Sequence, residues 1–130
     1  MNILVIGGTR FFGIHMVNEL LTAGYDVTIA TRGKASDSFG DKVKRIFLER
    51  TKEESVREAL SGTHYDVVID KIEYCSNDIK YVMDVIDCDK YIYMSSTSVY
   101  NPKHINTIEA DFNGIENELI WCDRKAFPYE

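Results

Sequence analysis

Asn2-Ile3-Leu4-Val5-Ile6-Gly7-Gly8-Thr9-Arg10-Phe11-Phe12-Gly13 is the stretch whose reading decides the fold. Four apolar residues, Ile3 to Ile6, suit a parallel strand covered on both faces. Gly7 and Gly8 supply a tight turn and let backbone approach a ligand with no side chain in between. Gly13 lets the helix that follows pack close to the strand it has left. Free N–H groups at that helix start, with the positive end of its dipole, suit a pyrophosphate. The motif departs from the usual pattern at one place. Glycines at 7, 10 and 13, or at 8, 10 and 13, are the two dinucleotide spacings, and position 10 is Arg10. A glycine turn that only reverses the chain is the alternative reading of the same residues.

Outward from this stretch, strands and helices alternate. Ile14, Val17, Leu20 and Leu21 recur at helical spacing, and Gly24 ends that helix. Val27 to Ala30 is expected as a second strand, completing a right-handed βαβ unit. Val43 to Leu48, less apolar, is expected as a third strand nearer an edge. Thr51-Lys52-Glu53-Glu54 reads as a capping box for a helix with Val56, Ala59 and Leu60 on its inner face, ended by Gly62. Asp66-Val67-Val68-Ile69-Asp70 is a fourth strand. Ser76 is expected to cap a helix with Ile79, Val82, Met83 and Ile86 on one face, and Tyr91 to Met94 to form a fifth strand. This alternation predicts an α/β fold, a doubly wound parallel sheet of about five strands with helices on both faces. Ligands in such folds lie beyond the carboxyl ends of the strands, where Gly7, Arg32, Asp70 and Ser96 fall. Residues 1–100 form this unit. Residues 101–130 are polar and acidic with poor periodicity, and read as an irregular segment.

Bulk composition narrows the function. A chain of 130 residues with 45% hydrophobic content can bury a core. The formal charge of −6 argues against nonspecific binding to nucleic acid or anionic membrane. No apolar run reaches membrane-spanning length. Cys75, Cys88 and Cys122 are odd in number and share no metal-ligand spacing, which suits reduced thiols in a cytoplasmic protein. His15, His64 and His104 are scattered, so no metal site is expected.

The end of the second strand speaks to the cofactor. A carboxylate there would bond the ribose 2′-OH of NAD, but Ala30 and Thr31 are not acidic and Arg32 follows. An arginine fork suits a 2′-phosphate, so NADP is expected, with NAD as the alternative; Arg10 is a second candidate cation. Read only as sequence, Arg32 fits a solvated loop equally well. Ser95 to Ser98, past the fifth strand, offer hydroxyls either for a substrate oxygen or for a turn.

With these residues in view, the chain resembles the extended short-chain dehydrogenase/reductase family, the NAD(P)-dependent epimerases and dehydratases. Residues 6–13, Ile-Gly-Gly-Thr-Arg-Phe-Phe-Gly, resemble its glycine motif in a variant with arginine in the middle. Met94-Ser95-Ser96-Thr97-Ser98-Val99-Tyr100 resembles its Ser-Ser-x-x-Val-Tyr segment. The resemblance implies that Gly7, Gly8 and Gly13 hold the pyrophosphate, with Thr9, Arg10 and Phe12 of the same segment also binding the cofactor. It places Glu49 and Arg50 by the adenine, and Asp70, Lys71 and Ile72 near the nicotinamide ribose. Ser96 would be the catalytic hydroxyl and Tyr129 the acid/base tyrosine, with a nucleotide sugar as the kind of small-molecule substrate. The family's Tyr-x-x-x-Lys pair is not present: Thr97 follows Tyr93 and His104 follows Tyr100 at that spacing. The expectation is therefore the first part of a longer enzyme, inactive by itself. Its fifth strand would be an open edge that a homo-oligomer would cover.

Two other readings stay open on sequence grounds. One is a non-catalytic NADP-binding sensor. The other is a signalling receiver domain, in which Asp70 would accept phosphate; that fold wants acids after its first strand, where Gly7 and Gly8 stand.

Overall fold

The computed structural model describes residues 1–71 and 76–94, with backbone alone for Ser76 and Asn77. In chain order the elements are β1 (Asn2–Ile6), α1 (Phe12–Thr22), β2 (Asp26–Thr31), β3 (Lys44–Phe47), α2 (Glu53–Leu60), β4 (His64–Asp70), α3 (Ser76–Met83) and β5 (Asp87–Tyr93). All neighbouring strands are parallel, in the order β3-β2-β1-β4-β5. The fold is the expected doubly wound sheet, with the reversal of strand order falling at β1 and β4.

Side-chain alternation along β1 explains the two layers. Leu4 and Ile6 face one side, where Val56 and Leu60 of α2 and Val82 of α3 complete a cluster. Ile3 and Val5 face the other, where Val17 of α1 packs with Val27, Ile29 and Ile69. Burial on both faces is what the near-continuous apolar run required. α1 ends in a Schellman motif: Gly24, at φ 80°, donates its N–H to Leu21 O at 3.0 Å, and Tyr25 donates to Leu20 O at 3.2 Å.

The expected capping box is not formed. Lys52, extended at φ −117°, is the N-cap of α2, and no side chain caps it. Thr51 Oγ1 donates instead to Glu49 Oε1 at 3.2 Å, and Ser55 Oγ accepts the Glu49 N–H at 3.0 Å. The short polar side chains close the β3–α2 turn rather than the helix end. Met83 also departs from expectation: it is exposed, because α3 stops there and Ile86 completes the packing from beyond the helix. β2 and β3 are joined by a loop containing one short 3₁₀ turn, Gly40–Lys42. That loop buries Phe39 against the α1 layer. Asp37 Oδ1 holds it in place, accepting from the Phe39 N–H at 3.0 Å and from Arg45 Nη2 at 2.6 Å.

Candidate functional site

Beyond the carboxyl end of β1 the chain turns through Gly7 and Gly8, at φ 97° and 100°, which other residues rarely adopt. The Gly7 N–H is tied to Ala30 O of β2 at 2.8 Å. The next hydrogen bonds are those that open α1, Gly13 N–H to Arg10 O at 3.1 Å and Ile14 N–H to Phe11 O at 3.2 Å. Between them, the N–H groups of Gly8, Thr9, Arg10, Phe11 and Phe12 donate to no atom of the described residues. A row of free donors at a helix start is an anion cradle.

The glycines serve this row in different ways. A Cβ on Gly8 would meet Val17 Cγ2 at 3.1 Å and Val5 Cγ1 at 3.2 Å, so Gly8 lets α1 approach β1. A Cβ on Gly13 would meet Lys71 Nζ at 2.6 Å and Gly8 Cα at 2.9 Å, so Gly13 keeps helix and turn in contact. Phe11 sits between them at φ 52° and ψ −138°, a strained conformation for a residue with a side chain, and the residue is 84% exposed. The residues present fit a dinucleotide pyrophosphate: a cradle of N–H groups, backbone bare at the turn, and cations around it.

Three of those cations are Arg10, Arg32 and Lys71, none of which forms an ion pair among the described residues. Arg32 is exposed immediately past β2. Gly33, at φ 68°, turns the chain there and donates its N–H to Thr31 Oγ1 at 3.2 Å. Lys71 follows β4. Its Nζ donates to Arg10 O at 3.3 Å and lies 4.5 Å from the centre of the Phe12 ring. Burial pushes its amine below the ordinary lysine value.

Arg50 and Asp70 are brought together. Arg50 Nη1 and Nη2 each reach an Asp70 carboxylate oxygen at 2.5 Å, and Nη2 also donates to Asp78 O at 3.1 Å. The Tyr91 hydroxyl donates to the same carboxylate. Arg50 is 7% exposed and Asp70 0%. The pair joins the β3–α2 turn, β4, α3 and β5 beneath the site. Spacing along the chain gave no sign of it, since the partners are 20 residues apart and meet only through the sheet order. Glu49 stays partly exposed beside Thr51. Ile72, Ser95 to Ser98 and Tyr129, and with them Ser96, lie outside the described residues.

At the opposite end of the sheet, His64 Nδ1 lies 3.1 Å from Asp87 and Nε2 3.6 Å from Asp89. The Asp87 hydrogen bond raises the imidazole above its ordinary pKa. His64, Asp66 and Asp89 place three metal-capable atoms within 4.8 Å of one another, a grouping that scattered histidines did not suggest. Asp66 Oδ2 already accepts the Asn2 N–H at 2.5 Å. Cys88 is a free, partly buried thiol whose pKa burial pushes up. No helix among the described residues is long and apolar enough to cross a membrane.

Comparison with known proteins agrees with this geometry. Solved structures similar in fold include a UDP-galactose 4-epimerase, at 20% identity and TM-score 0.69 over 97% of this chain and 48% of that one. Vestitone reductase from alfalfa matches at 19% identity and TM-score 0.65, over 97% of this chain and 46% of its own. A nucleoside-diphosphate-sugar epimerase from Staphylococcus aureus matches at 21% and 0.64, over 92% and 46%. At these identities the likeness is one of fold. The chloroplast stem-loop binding protein of 41 kDa b from Arabidopsis thaliana is 31% identical, over 75% of this chain and 30% of that protein. The chain thus spans less than half the length of these relatives. The sequence pattern of the NAD dependent epimerase/dehydratase family matches residues 3–116, most of the chain, and the chain belongs to that family.

Proposed function

We propose that this chain is the NADP-binding part of an epimerase, dehydratase or reductase that works by hydride transfer on a nucleotide-sugar-like substrate. The observation that carries the reading is the row of free N–H groups from Gly8 to Phe12, open to a pyrophosphate. Arg32 supports NADP over NAD: it stands where a ribose-binding acid would, exposed and without an acidic partner among the described residues. The bound cofactor would supply the hydride chemistry. Glu49 would lie on the adenine side of this reading and Ile72 on the nicotinamide side, while Arg50 and Asp70, buried against each other, tie the β3–α2 turn to the end of β4 between them. Ser96 would orient the reacting oxygen and Tyr129 would transfer its proton. The likeness in fold to a UDP-galactose 4-epimerase and a nucleoside-diphosphate-sugar epimerase supports the substrate class. The reduced thiol of Cys88 suits a cytoplasmic setting.

The alternative is a non-catalytic NADP-binding module, which the Arabidopsis relative, named for stem-loop binding, keeps in view. The net charge of −6 favours a small-molecule ligand over a nucleic acid. Titration with NADPH and NADH, followed by fluorescence, tests the binding half of the proposal. NADPH should bind about ten- to a hundredfold more tightly. Equal affinities would end the NADP preference, and no binding of either would end the reading. Assay of the full gene product with a panel of nucleotide sugars separates enzyme from module.

A further inference from the structure

We propose that Lys71 is the cation of the pyrophosphate subsite, reaching back from the end of β4 to the glycine turn. This rests on the dinucleotide-binding reading and names a residue within it. Three observations place the ammonium. Nζ donates to Arg10 O at 3.3 Å, at the position where a third glycine would stand. It lies over the Phe12 ring, 4.5 Å from the centroid. It would be 2.6 Å from a Cβ on Gly13, so it sits against the first turn of α1. The ammonium therefore borders the free N–H row from Gly8 to Phe12.

Its remaining valence is the telling feature. An ammonium has three donors, and one carbonyl and one ring face leave donor capacity over. No carboxylate among the described residues pairs with it: Asp70, its neighbour in sequence, is taken by Arg50 and Tyr91. A half-buried cation without an acid is costly in the free chain, and the depressed amine value reflects that cost. An anion seated on the N–H row would supply the missing charge. Gly13 is required by the backbone of Gly8, whose Cα would lie 2.9 Å from a Cβ there, and its bare Cα also leaves the ammonium its place.

The test compares parent, Lys71→Met and Lys71→Arg by calorimetric titration with NADPH at several salt concentrations. Adenosine 2′-monophosphate, which lacks the pyrophosphate, is the control ligand. Lys71→Met should weaken NADPH by about tenfold or more and flatten the salt dependence. Lys71→Arg should keep most of the affinity, and the control ligand should bind all three alike. A Lys71→Met chain with the parent's circular dichroism and the parent's NADPH affinity would overturn the assignment. So would equal loss of NADPH and of the control ligand, which marks a general defect. If the parent binds no dinucleotide, the functional reading falls, and inorganic pyrophosphate still decides the lysine. Binding to the parent that Lys71→Met loses would support the assignment; equal binding, or none, would overturn it.

Discussion

The two ends of the same sheet use charge in opposite ways. At the amino end, charges meet in water. Lys44 reaches Asp26 at 2.6 Å with both side chains more than half exposed, and His64 stands between Asp87 and Asp89. Such pairs, screened by solvent, contribute little to stability. At the carboxyl end, the acid that sequence placed beside the ligand is withdrawn from solvent. Asp70 is held by Arg50 and Tyr91 under the sheet end, while among the described residues Arg10, Arg32, Lys71 and five N–H groups have no acid bonded to them. A chain of net charge −6 thereby presents a locally electropositive rim. Burial of one carboxylate, rather than the count of cations, separates the binding end from the inert end.

Breaking the buried pair should have the largest effect. Asp70→Ala takes from the buried Arg50 guanidinium the carboxylate that both of its Nη atoms reach, and breaking such a pair costs about 3–5 kcal/mol. Urea denaturation should show most of the domain's stability lost, whereas Asp26→Ala should shift the midpoint little. Comparable losses from both would erase the contrast between the two ends.

Changes at the turn sharpen the comparison from the ligand's side. Gly7→Val puts a β-branched side chain where φ is 97°. NADPH binding should be abolished while the thermal melt stays cooperative, lowered by an amount matching about 1–3 kcal/mol of strain. Retained binding in the folded variant would mean that the turn is structural only. Arg32→Ala should cost about 1.5–3 kcal/mol of NADPH affinity and none of NADH affinity, read by fluorescence titration. A variant that keeps the preference would move the 2′-phosphate to Arg10.

The smallest effect is expected at the amino end. Asp87 raises the His64 pKa in the folded chain. The stability this pair contributes is therefore fully present below the unfolded histidine value of about 6.5, and fades as pH rises through the higher folded value. Thermal melts of the parent should decline slightly over that interval, and His64→Gln should remove the slope. NADPH affinity should be the same in both, because the site is at the other end of the strands.

Much of this was legible in the sequence where one segment determines its own structure. Ile3 to Gly13 states strand, turn and helix by itself, and Leu20, Leu21 and Gly24 state a helix end. What was hidden depends on partners distant in the chain. Arg50, in the β3–α2 turn, and Asp70, at the end of β4, meet although β2 and β1 lie between their strands. Phe39 lies in a segment without periodicity and is buried because Arg45 and Asp37 fold the loop over it. The cap of α2 was misplaced because Thr51 found a nearer partner in Glu49 than the helix N–H groups. For Lys71 the resemblance implies a place near the nicotinamide ribose; its contact with the Arg10 carbonyl spans 61 positions and no spacing announces it.

The central claim is that the N–H row from Gly8 to Phe12 is where the dinucleotide sits. An amide-resolved NMR titration of the chain with NADPH tests it directly. The account predicts that the largest shifts fall on the amides of Gly8, Thr9, Arg10, Phe11 and Phe12, with those at His64, Asp66 and Asp87 unmoved. Shifts concentrated at the amino end of the sheet, or a silent glycine turn in a chain that binds NADPH, would contradict it.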